Sequence, residues 1–374
     1  MSEEAPAAKA AVSARDGLYI VPLGIVSSTS AELAVGVGRG KRLAGGVLAF
    51  VDCEMILRRQ GVISAAVTPV EGVRPWAERH GAAFLAQVEA RIARLTRPRP
   101  PFAGLSLDRP RVMGVVNVTP DSFSDGGEHA DPASAVSHGV ALLEAGADIL
   151  DVGGESTRPG AQPVPLDVEI GRVLPVVREL ANRGALVSID TRHSAVMAAA
   201  TQAGARIIND VTALRGDPES LAVAARSGAS VILMHMRGEP ASMQEGPIYH
   251  YAPLDVYDAL TERISACVAA GIGLDRLCID PGIGFGKTVA HNIDLLGRLT
   301  LFHGFGCPVM LGVSRKRFIA HLSREEPPKE RLAGSLAAAL AALDQGIAIL
   351  RVHDVAETLQ AVSVWRAIKT GGVS

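Results

Sequence analysis

Polar side chains recur at the ends of short apolar segments in the second two-thirds of this chain. Carboxylates and amides among them can exchange hydrogen bonds with a polar ring, and the cations among them can hold a small anionic group. One such residue can simply cap a helix, but eight such positions together indicate a binding or catalytic site. In chain order the residues are Asn117, Asp151, Glu155, Thr157, Arg158, Asp190, Asn209, Asp210, His235, Asp280, Ser314, Arg315, Lys316, Arg351 and His353.

A regular alternation of apolar strands and Ala/Leu-rich helices carries these residues. Nearly continuous apolar strands predict a parallel sheet that is covered on both faces. The eight predicted strands are 112–118, 148–152, 186–190, 206–210, 230–235, 277–280, 309–313 and 347–352. Helices are predicted between them, including 132–145, 167–182, 193–203 and 335–345.

Eight strand–helix units favour an α/β fold, a closed (β/α)8 TIM barrel, over an open doubly wound sheet. An open Rossmann-like sheet predicts a G-x-G-x-x-G fingerprint after its first strand, whereas residues 117–127 read NVTPDSFSDGG. In a barrel the carboxyl ends of all strands face one rim, where active sites lie. The polar residues are therefore expected to meet at that rim.

A glycine-rich segment, residues 282–288 (GIGFGKT), resembles a phosphate-binding P-loop. That motif needs four residues between its first glycine and the Gly-Lys pair, and counting back from Gly286 puts Pro281 at the first position. The sequence therefore does not predict nucleotide binding here. The glycines are expected to let the backbone turn tightly beside a ligand.

A small α+β accessory unit of unassigned role is predicted ahead of the barrel. Its strands are expected over 19–26 and 45–50, and its helices over 31–37 and 75–95. Prolines that cannot continue a helix then indicate a linker. The predicted segments are a flexible tail (1–15), the accessory unit (16–95), a Pro/Arg-rich linker (96–107) and the barrel (108–374).

Bulk composition excludes several classes of function. A net charge of −2 gives no broad positive field for nucleic acid. The chain has no run of about 18 or more apolar residues, so no membrane span is predicted. The N-terminus has no apolar signal core. The four cysteines form no C-x-x-C pair and are expected to fill the core. A cytoplasmic location is therefore predicted.

Eight sequence motifs lie in order along the chain, at 113–127, 151–160, 188–191, 208–210, 234–236, 280–287, 314–316 and 351–354. They resemble the motifs of the dihydropteroate synthases, in the family's order and over roughly residues 111–370. Small departures from the family pattern are Arg237, where glutamine is common, and Arg317 after the Ser-Arg-Lys motif.

The resemblance implies a reaction in which the amine of p-aminobenzoate attacks the methylene carbon of a hydroxymethyl-dihydropterin pyrophosphate. Asp190, Asn209, Asp280 and Lys316 would bind the pterin, whose edge of donors and acceptors suits a carboxylate. Asp190, Asp280 and Lys316 would also be catalytic, because buried carboxylates stabilise positive charge that develops as the carbon–oxygen bond breaks.

The resemblance also implies sites for the other reactants. Phe123, Thr157, Pro159 and Ser314 would form the p-aminobenzoate pocket, the target of sulfonamides. The leaving pyrophosphate would be held by three residues, Arg158, Arg351 and His353. Its Mg²⁺ would be held by Asn117, since Mg²⁺ needs few protein ligands when phosphates supply the rest.

Two alternatives and two open points accompany this interpretation. A pterin-dependent corrinoid methyltransferase would explain the pterin-binding residues, but it would not need Ser314, Lys316, Arg351 and His353. A non-catalytic pterin-binding paralogue should have lost Lys316 or the Arg/His pair. The role of His235 stays open between a ligand contact and a barrel-wall residue, and a homodimer is expected.

Overall fold

The computed structural model describes residues 16–119, 132–156, 163–238 and 243–372 of the chain. Its first part, up to residue 96, is an antiparallel sheet with three helices packed on it. The elements are β1 (Gly17–Val26), α1 (Ser28–Gly36), β2 (Lys41–Arg42), β3 (Ala49–Arg59), β4 (Val62–Pro69), α2 (Val70–Glu78) and α3 (Ala82–Thr96). Strand β3 is central, with β1 on one side and β4 and β2 on the other.

This N-terminal unit has a hydrophobic core of its own. Side chains of the sheet, among them Phe50 and Met55, pack with Val88 and Leu95 of α3, and these four are at most 2% exposed. Burial of such side chains stabilises the unit by about 1.5–3 kcal/mol each. The unit therefore folds around its own core rather than only as an extension of the barrel.

Two predictions for this unit were wrong in detail. Residues 45–48 form a turn rather than a strand, and β3 begins at Ala49. The helix expected over 75–95 is divided into α2 and α3 at Gly81, whose φ of 95° a helix cannot accommodate. The hairpin of β3 and β4 was not predicted at all.

The second part of the chain is the predicted (β/α)8 barrel. Its strands are β5 (Arg111–Asn117), β6 (Ile149–Gly153), β7 (Val187–Asp190), β8 (Ile207–Asp210), β9 (Ser230–Met234), β10 (Leu277–Asp280), β11 (Met310–Leu311) and β12 (Ile349–Val352). They are parallel in the order β10-β9-β8-β7-β6-β5-β12-β11. A parallel bridge between Ile279 and Val309 joins the two ends of this order, so the sheet is closed.

Helices cover the outside of the barrel. They are α4 (Pro132–Glu144), α5 (Leu166–Asn182), α6 (Ser194–Gln202), α7 (Ser220–Ser227), α8 (Ala252–Ala269), α9 (Val289–Leu296), α10 (Arg317–Leu322), α11 (Leu332–Leu343) and α12 (Val355–Thr370). Short 3-10 helices occupy 274–276, 299–305 and 328–330. Among the described residues no helix combines the length and apolarity that crossing a membrane would require.

Part of the predicted linker belongs to the barrel core. Phe102 is fully buried and packs with Met113, Ile149 and Ile349, which lie near the amino ends of their strands. A bridge between Phe102 and Leu105 holds this turn. The linker therefore closes the end of the barrel opposite the strands' carboxyl ends.

A buried ion cluster fastens the N-terminal unit to helix α8. The guanidinium of Arg58, on β3, donates to Asp255 at 2.9 Å and also pairs with Asp258. The hydroxyl of Tyr19, on β1, accepts from Arg58 at 2.7 Å and donates to Asp258 at 2.9 Å. The side chain of Arg58 is 0% exposed, so the cluster is shielded from solvent at its centre.

Candidate active site

Five of the predicted polar residues meet at the carboxyl ends of the barrel strands. Asp151, Asp190 and Asn209 lie on the neighbouring strands β6, β7 and β8, while Asp280 ends β10 and Arg351 lies on β12. Because a parallel barrel turns all these strand ends to one rim, residues up to 200 positions apart come into contact.

Arg351 joins two carboxylates across the mouth of the barrel. Its Nε donates to Oδ2 of Asp151 at 2.7 Å, and its Nη2 donates to Oδ2 of Asp190 at 2.7 Å. The side-chain amide of Asn209 also donates to Oδ2 of Asp151, at 3.0 Å. Asp151 is 0% exposed and Asn209 3% exposed. These bonds fix the orientation of both carboxylates before any ligand arrives.

Each of the two carboxylates keeps a buried oxygen for which the described residues supply no hydrogen-bond partner. These atoms are Oδ1 of Asp151 and Oδ1 of Asp190, and the nearby hydroxyl of Ser188 is in the same condition. A buried acceptor without a partner costs about 1–3 kcal/mol. The pocket is therefore suited to a ligand that presents N–H groups to these oxygens.

Burial shifts the proton affinity of the carboxylates at this rim. Burial raises the pKa of Asp190 to about 7; Arg351 opposes the shift, and Asp151 adds to it. Burial likewise raises the pKa of Asp280, against the bond from Gly282 N–H and the charge of Lys316. Burial opposes the charge of Arg351, but Asp151 and Asp190 outweigh it and raise its pKa. The ionised carboxylates are therefore destabilised by burial, and N–H donors or positive charge on a bound ligand would stabilise them.

The three adjacent cations at residues 315–317 point to different surroundings. Arg315 has a left-handed φ of 58° and pairs with Asp354, 3.0 Å from its Nε. The ammonium of Lys316 lies 4.1 Å from the centre of the Phe285 ring, within range of a cation–π contact. Arg317 begins α10 and is exposed. Only Lys316 faces the glycine-rich loop beside Asp280.

Ser314 and His353 form a pair at the same rim. The backbone N–H of His353 donates to Ser314 Oγ at 3.2 Å, and Ser314 Oγ lies 3.0 Å from His353 Nδ1. Because the serine oxygen accepts the backbone bond, its own proton can go to Nδ1, which leaves the ring proton on Nε2. The pair thus brings together a predicted p-aminobenzoate residue and a predicted pyrophosphate residue.

The remaining predicted residues lie elsewhere or outside the described part. Asn117 ends β5 at the rim and is half-buried. Asp210 accepts from Thr212 and Leu214, so it stabilises a loop rather than facing the pocket. His235 is buried and contacts Lys287. The residues outside the described ranges are Phe123, Thr157, Arg158 and Pro159.

Lys287 is the functional candidate that the sequence-based set lacks. Asp151 is in the set of polar strand-end residues, but the sequence assigns it no particular role, because nothing local distinguishes it from a helix cap. Lys287 lies in the segment that resembles a P-loop, and its partner His235 is 52 residues away. The spacing of residues along the chain indicates neither the contact of Lys287 with His235 nor that of Asp151 with Arg351.

A second polar cluster joins helix α5 to the segments that follow β6 and β7. Glu169, on α5, is 0% exposed; it accepts from Thr191 at 2.7 Å and lies 2.7 Å from His193 Nδ1. Glu155 is paired with Arg192 at 2.9 Å. The ligating atoms of Glu155, Glu169 and His193 lie within 4.8 Å of one another. Because Glu169 is already bonded to Thr191 and His193, and Glu155 to Arg192, these groups tie loops together rather than form an open metal site.

Comparison with known proteins places this barrel among pterin enzymes. The family described as "Pterin binding enzyme" matches residues 113–353, so β1–α3 lie outside the match. Dihydropteroate synthase of Escherichia coli (strain K12) is 48% identical over 264 residues, which cover 70% of this chain and 93% of that protein. The Mycobacterium leprae enzyme is 45% identical over 267 residues, or 70% and 94% of the two chains.

Solved structures agree with this similarity. Xanthomonas albilineans dihydropteroate synthase with 4-aminobenzoic acid has a TM-score of 0.67 and 51% identity, and the match covers 71% of this chain and 96% of that one. The same enzyme in complex with 7,8-dihydropteroate has a TM-score of 0.65 and 48% identity, over 71% and 95%. The Yersinia pestis enzyme with a sulfonamide drug has a TM-score of 0.68 and 46% identity, over 71% and 96%.

Proposed function

The chain belongs to the dihydropteroate synthase family of pterin-binding enzymes, and from this membership we propose that it is a transferase that makes 7,8-dihydropteroate in folate biosynthesis. Its substrates would be p-aminobenzoate and 6-hydroxymethyl-7,8-dihydropterin pyrophosphate, and pyrophosphate would be the second product. The nitrogen of the amine forms a bond to the methylene carbon while the carbon–oxygen bond to pyrophosphate breaks. The amine nitrogen then loses one proton.

One observation carries the proposal: the two buried, unpartnered carboxylate oxygens beside Arg351 among the described residues. A pterin offers a 2-amino group and ring N–H groups along one flat edge. Oδ1 of Asp151 and Oδ1 of Asp190 can accept from such donors. The carboxylate of Asp280 can also accept, and Asn209 adds both a donor and an acceptor. Ligand binding would satisfy groups whose isolation costs free energy in the unliganded protein.

The same carboxylates favour the bond-breaking step. As the carbon–oxygen bond lengthens, positive charge spreads from the methylene carbon into the pterin ring. Asp190 and Asp280 are held in place by Arg351 and by the Gly282 N–H, so they need little reorganisation to stabilise that charge. The interaction is stronger in the transition state than in the ground state, which is the condition for a gain in turnover.

Cations at the rim suit the anionic leaving group. A guanidinium has five N–H donors. In Arg351 the Nε–H donates to Asp151 and one Nη2–H donates to Asp190. The remaining donors of Arg351 and the Nε2–H of His353 can hold pyrophosphate oxygens. Arg158 joins this set in the proposal by its place in the family motif.

The p-aminobenzoate pocket is proposed from Ser314 together with Phe123, Thr157 and Pro159. Ser314 is fixed by its bond to His353, so the amine substrate would lie next to the leaving group. A relative has been solved with 4-aminobenzoic acid and another with a sulfonamide drug. We therefore expect sulfonamides to compete with p-aminobenzoate on this chain.

Magnesium fits the residues at the end of β5 in a limited way. Asn117 offers one amide oxygen. The cluster of Glu155, Glu169 and His193 is a separate set of residues and is not part of this site. One protein oxygen suits an Mg²⁺ ion whose other ligands are phosphate oxygens and water. Bound there, the ion would neutralise charge on the leaving group. Calorimetry should detect Mg²⁺ binding only when pyrophosphate is present; tight binding to the bare protein would contradict this.

The decisive assay follows pyrophosphate release from purified protein given both substrates. Lys316→Ala and Lys316→Arg should each lose at least about a hundredfold in turnover, about 3 kcal/mol of barrier, since a planar guanidinium cannot replace a compact ammonium. Arg317→Ala is the matched control and should cost little, because Arg317 is exposed. Equal turnover in Lys316→Ala and the parent would contradict the assignment. The homodimer and the cytoplasmic location stay predictions.

A further inference from the structure

Lys287 is a buried lysine without a described ion pair. It is 2% exposed, and its ammonium lies 2.8 Å from the carbonyl oxygen of Gly282 and 2.9 Å from that of Phe285. It also lies 3.2 Å from the carbonyl oxygen of His235 and 3.0 Å from Nδ1 of the same residue. In the part of the chain that the structure describes, no carboxylate lies within salt-bridge distance of Lys287. Burial lowers the pKa of Lys287 to about 7 and the charge of Asp280 opposes that shift, so the ammonium depends on these carbonyl groups and on Asp280 for its charge balance.

These carbonyl groups converge because the glycine-rich loop lies directly on the chain segment after β9. A Cβ on Gly282 would stand 1.9 Å from the carbonyl oxygen of His235, and one on Gly286 would stand 2.2 Å from that of Arg237. Both glycines have left-handed φ values, 71° and 61°. Only glycine permits this approach, and the carbonyl oxygens it brings together would repel one another without a cation among them.

The loop that Lys287 holds also supports two groups of the pterin site. The backbone N–H of Gly282 donates to Asp280 Oδ1 at 2.7 Å. The Phe285 ring lies under the ammonium of Lys316, and a Cβ on Gly284 would stand 3.4 Å from Lys316 Cδ. A shift of this loop would therefore move both Asp280 and Lys316.

We propose that Lys287 is a positioning residue for the synthase reaction: its ammonium pins residues 282–287 against His235 and thereby fixes Asp280 and Lys316. The proposal rests on the proposed function, since it concerns the same pterin site. His235 takes part as the acceptor of one ammonium bond at Nδ1, which leaves its ring proton on Nε2. The open role of His235 is thus that of a partner within the barrel wall.

The test compares two lysine variants with a matched cation elsewhere in the barrel. Lys287→Met keeps the length of the side chain but removes its donors, and Lys287→Gln keeps two of them. Arg276 is the control, since it also donates to backbone carbonyls, those of Ala224 and Ala229, but lies at the amino end of β10. Arg276→Met should lower the unfolding midpoint and leave the kinetic constants unchanged.

A merely structural lysine would behave as Arg276 does. Removal of a positioning lysine should instead lower the affinity for 6-hydroxymethylpterin, measured by calorimetry, and the kcat/KM for the pterin substrate. We expect Lys287→Met to lose at least about tenfold in both at a temperature well below its unfolding midpoint. Lys287→Gln should show the same pattern with a smaller loss.

A double-mutant cycle with Lys316→Ala separates action through Lys316 from an independent effect. In the Lys316→Ala background, Lys287→Met should cost less than its loss of about tenfold in the parent, because only the part that acts through Asp280 remains. Full additivity, or parent-like affinity in Lys287→Met, would overturn the proposal. Failure of both lysine variants to fold would also overturn it, by making Lys287 a determinant of folding. An inactive parent that still binds 6-hydroxymethylpterin would instead refute the proposed function.

Discussion

Two arginines in this protein each bridge two aspartates, and the two clusters differ in what they leave unbonded. At the domain interface Arg58 bridges Asp255 and Asp258, and Tyr19 completes the network. Among the described residues, no buried side-chain atom of that cluster lacks a partner. At the barrel rim Arg351 bridges two aspartates that each keep one unpartnered buried oxygen. The same residue types thus serve stability in one place and binding in the other.

Exposure follows the same division. The side chain of Arg58 is 0% exposed, whereas that of Arg351 is 22% exposed. The interface cluster can release free energy only when the chain folds. The rim cluster retains donors and acceptors that a ligand can use. Unused hydrogen-bonding capacity, rather than charge or burial alone, distinguishes the site.

Removal of Arg351 should therefore chiefly lower activity, whereas removal of Arg58 should chiefly lower stability. The largest effect is expected on activity, at the rim. Arg351→Met should lower kcat/KM by about a thousandfold, about 4 kcal/mol of barrier, because both aspartates lose their orientation and pyrophosphate loses donors. The unfolding free energy should fall less than in Arg58→Met, since Asp190 can take up a proton near neutral pH.

Arg58→Met is the matched variant for this measurement. Pyrophosphate release by the two variants is compared at equal concentrations of folded protein, with folding checked by circular dichroism. Similar losses of activity in both variants would remove the distinction between the clusters.

Arg58→Met should have the next largest effect, on stability. Breaking a buried ion pair by removing one partner leaves Asp255 without its counter-charge and should cost about 3 kcal/mol. The two tryptophans allow the loss to be assigned, because Trp76 lies in α2 of the N-terminal unit and Trp365 in α12 of the barrel. Urea unfolding would be followed in Trp76→Phe and Trp365→Phe backgrounds, each with and without Arg58→Met.

We expect the two fluorescence transitions to coincide in the parent and to separate in Arg58→Met, with the Trp76 signal changing at lower urea. Coincident transitions at an unchanged midpoint would show that the cluster does not couple the units. The kcat/KM of the folded variant should stay within about twofold of the parent, since the partners of Arg58 described above, Asp255, Asp258 and Tyr19, are not residues of the pterin site.

The sequence predicted the barrel more accurately than the N-terminal unit for a physical reason. Parallel barrel strands are buried on both faces, so each strand is a nearly continuous apolar run that can be recognised without knowing how the helices pack. The pairing of β3 with β4 instead depends on a two-residue turn at Gln60 and Gly61, where both φ values are positive. Glutamine is not a usual residue for that conformation, and β4 is almost entirely exposed, so neither turn type nor periodicity indicated the hairpin.

The sequence predicted which side chains lie at the rim wherever a residue stands at the end of a predicted strand. Asp190, Asn209, Asp280 and Arg351 all lie at the rim, as their places in the strands required. Contacts across the barrel were not predictable, because the bond between Arg351 and Asp151 joins residues 200 positions apart. The same limit applies to Arg58, whose partner Asp255 is 197 residues away in another unit.

The affinity of the rim for a pterin should depend on pH, and this effect is expected to be smaller than the two above. Burial raises the pKa of Asp190 to about 7, so this carboxylate is protonated, and a poorer acceptor, below that pH. Affinity for 6-hydroxymethylpterin, a probe without pyrophosphate, should fall about eightfold between pH 7.5 and pH 6. In Asp190→Asn most of this dependence should disappear, and the remainder reports Asp280. An unchanged pH dependence in Asp190→Asn would mean that another group titrates.

The smallest effect is expected for Tyr19→Phe, which removes one oxygen from the interface cluster. The hydroxyl accepts from Arg58 at 2.7 Å and donates to Asp258 at 2.9 Å, and burial raises the pKa of Tyr19, so it stays a neutral donor. Arg58 still pairs directly with Asp258 without it, so the unfolding free energy should fall by only about 1 kcal/mol. If the hydroxyl acts through Arg58, Tyr19→Phe should cost almost nothing further in the Arg58→Met background, as urea midpoints would report. An additive loss would mean that Tyr19 stabilises the interface by packing on Tyr257, with which it makes an edge contact at 5.6 Å, and not as the last partner in the ion cluster.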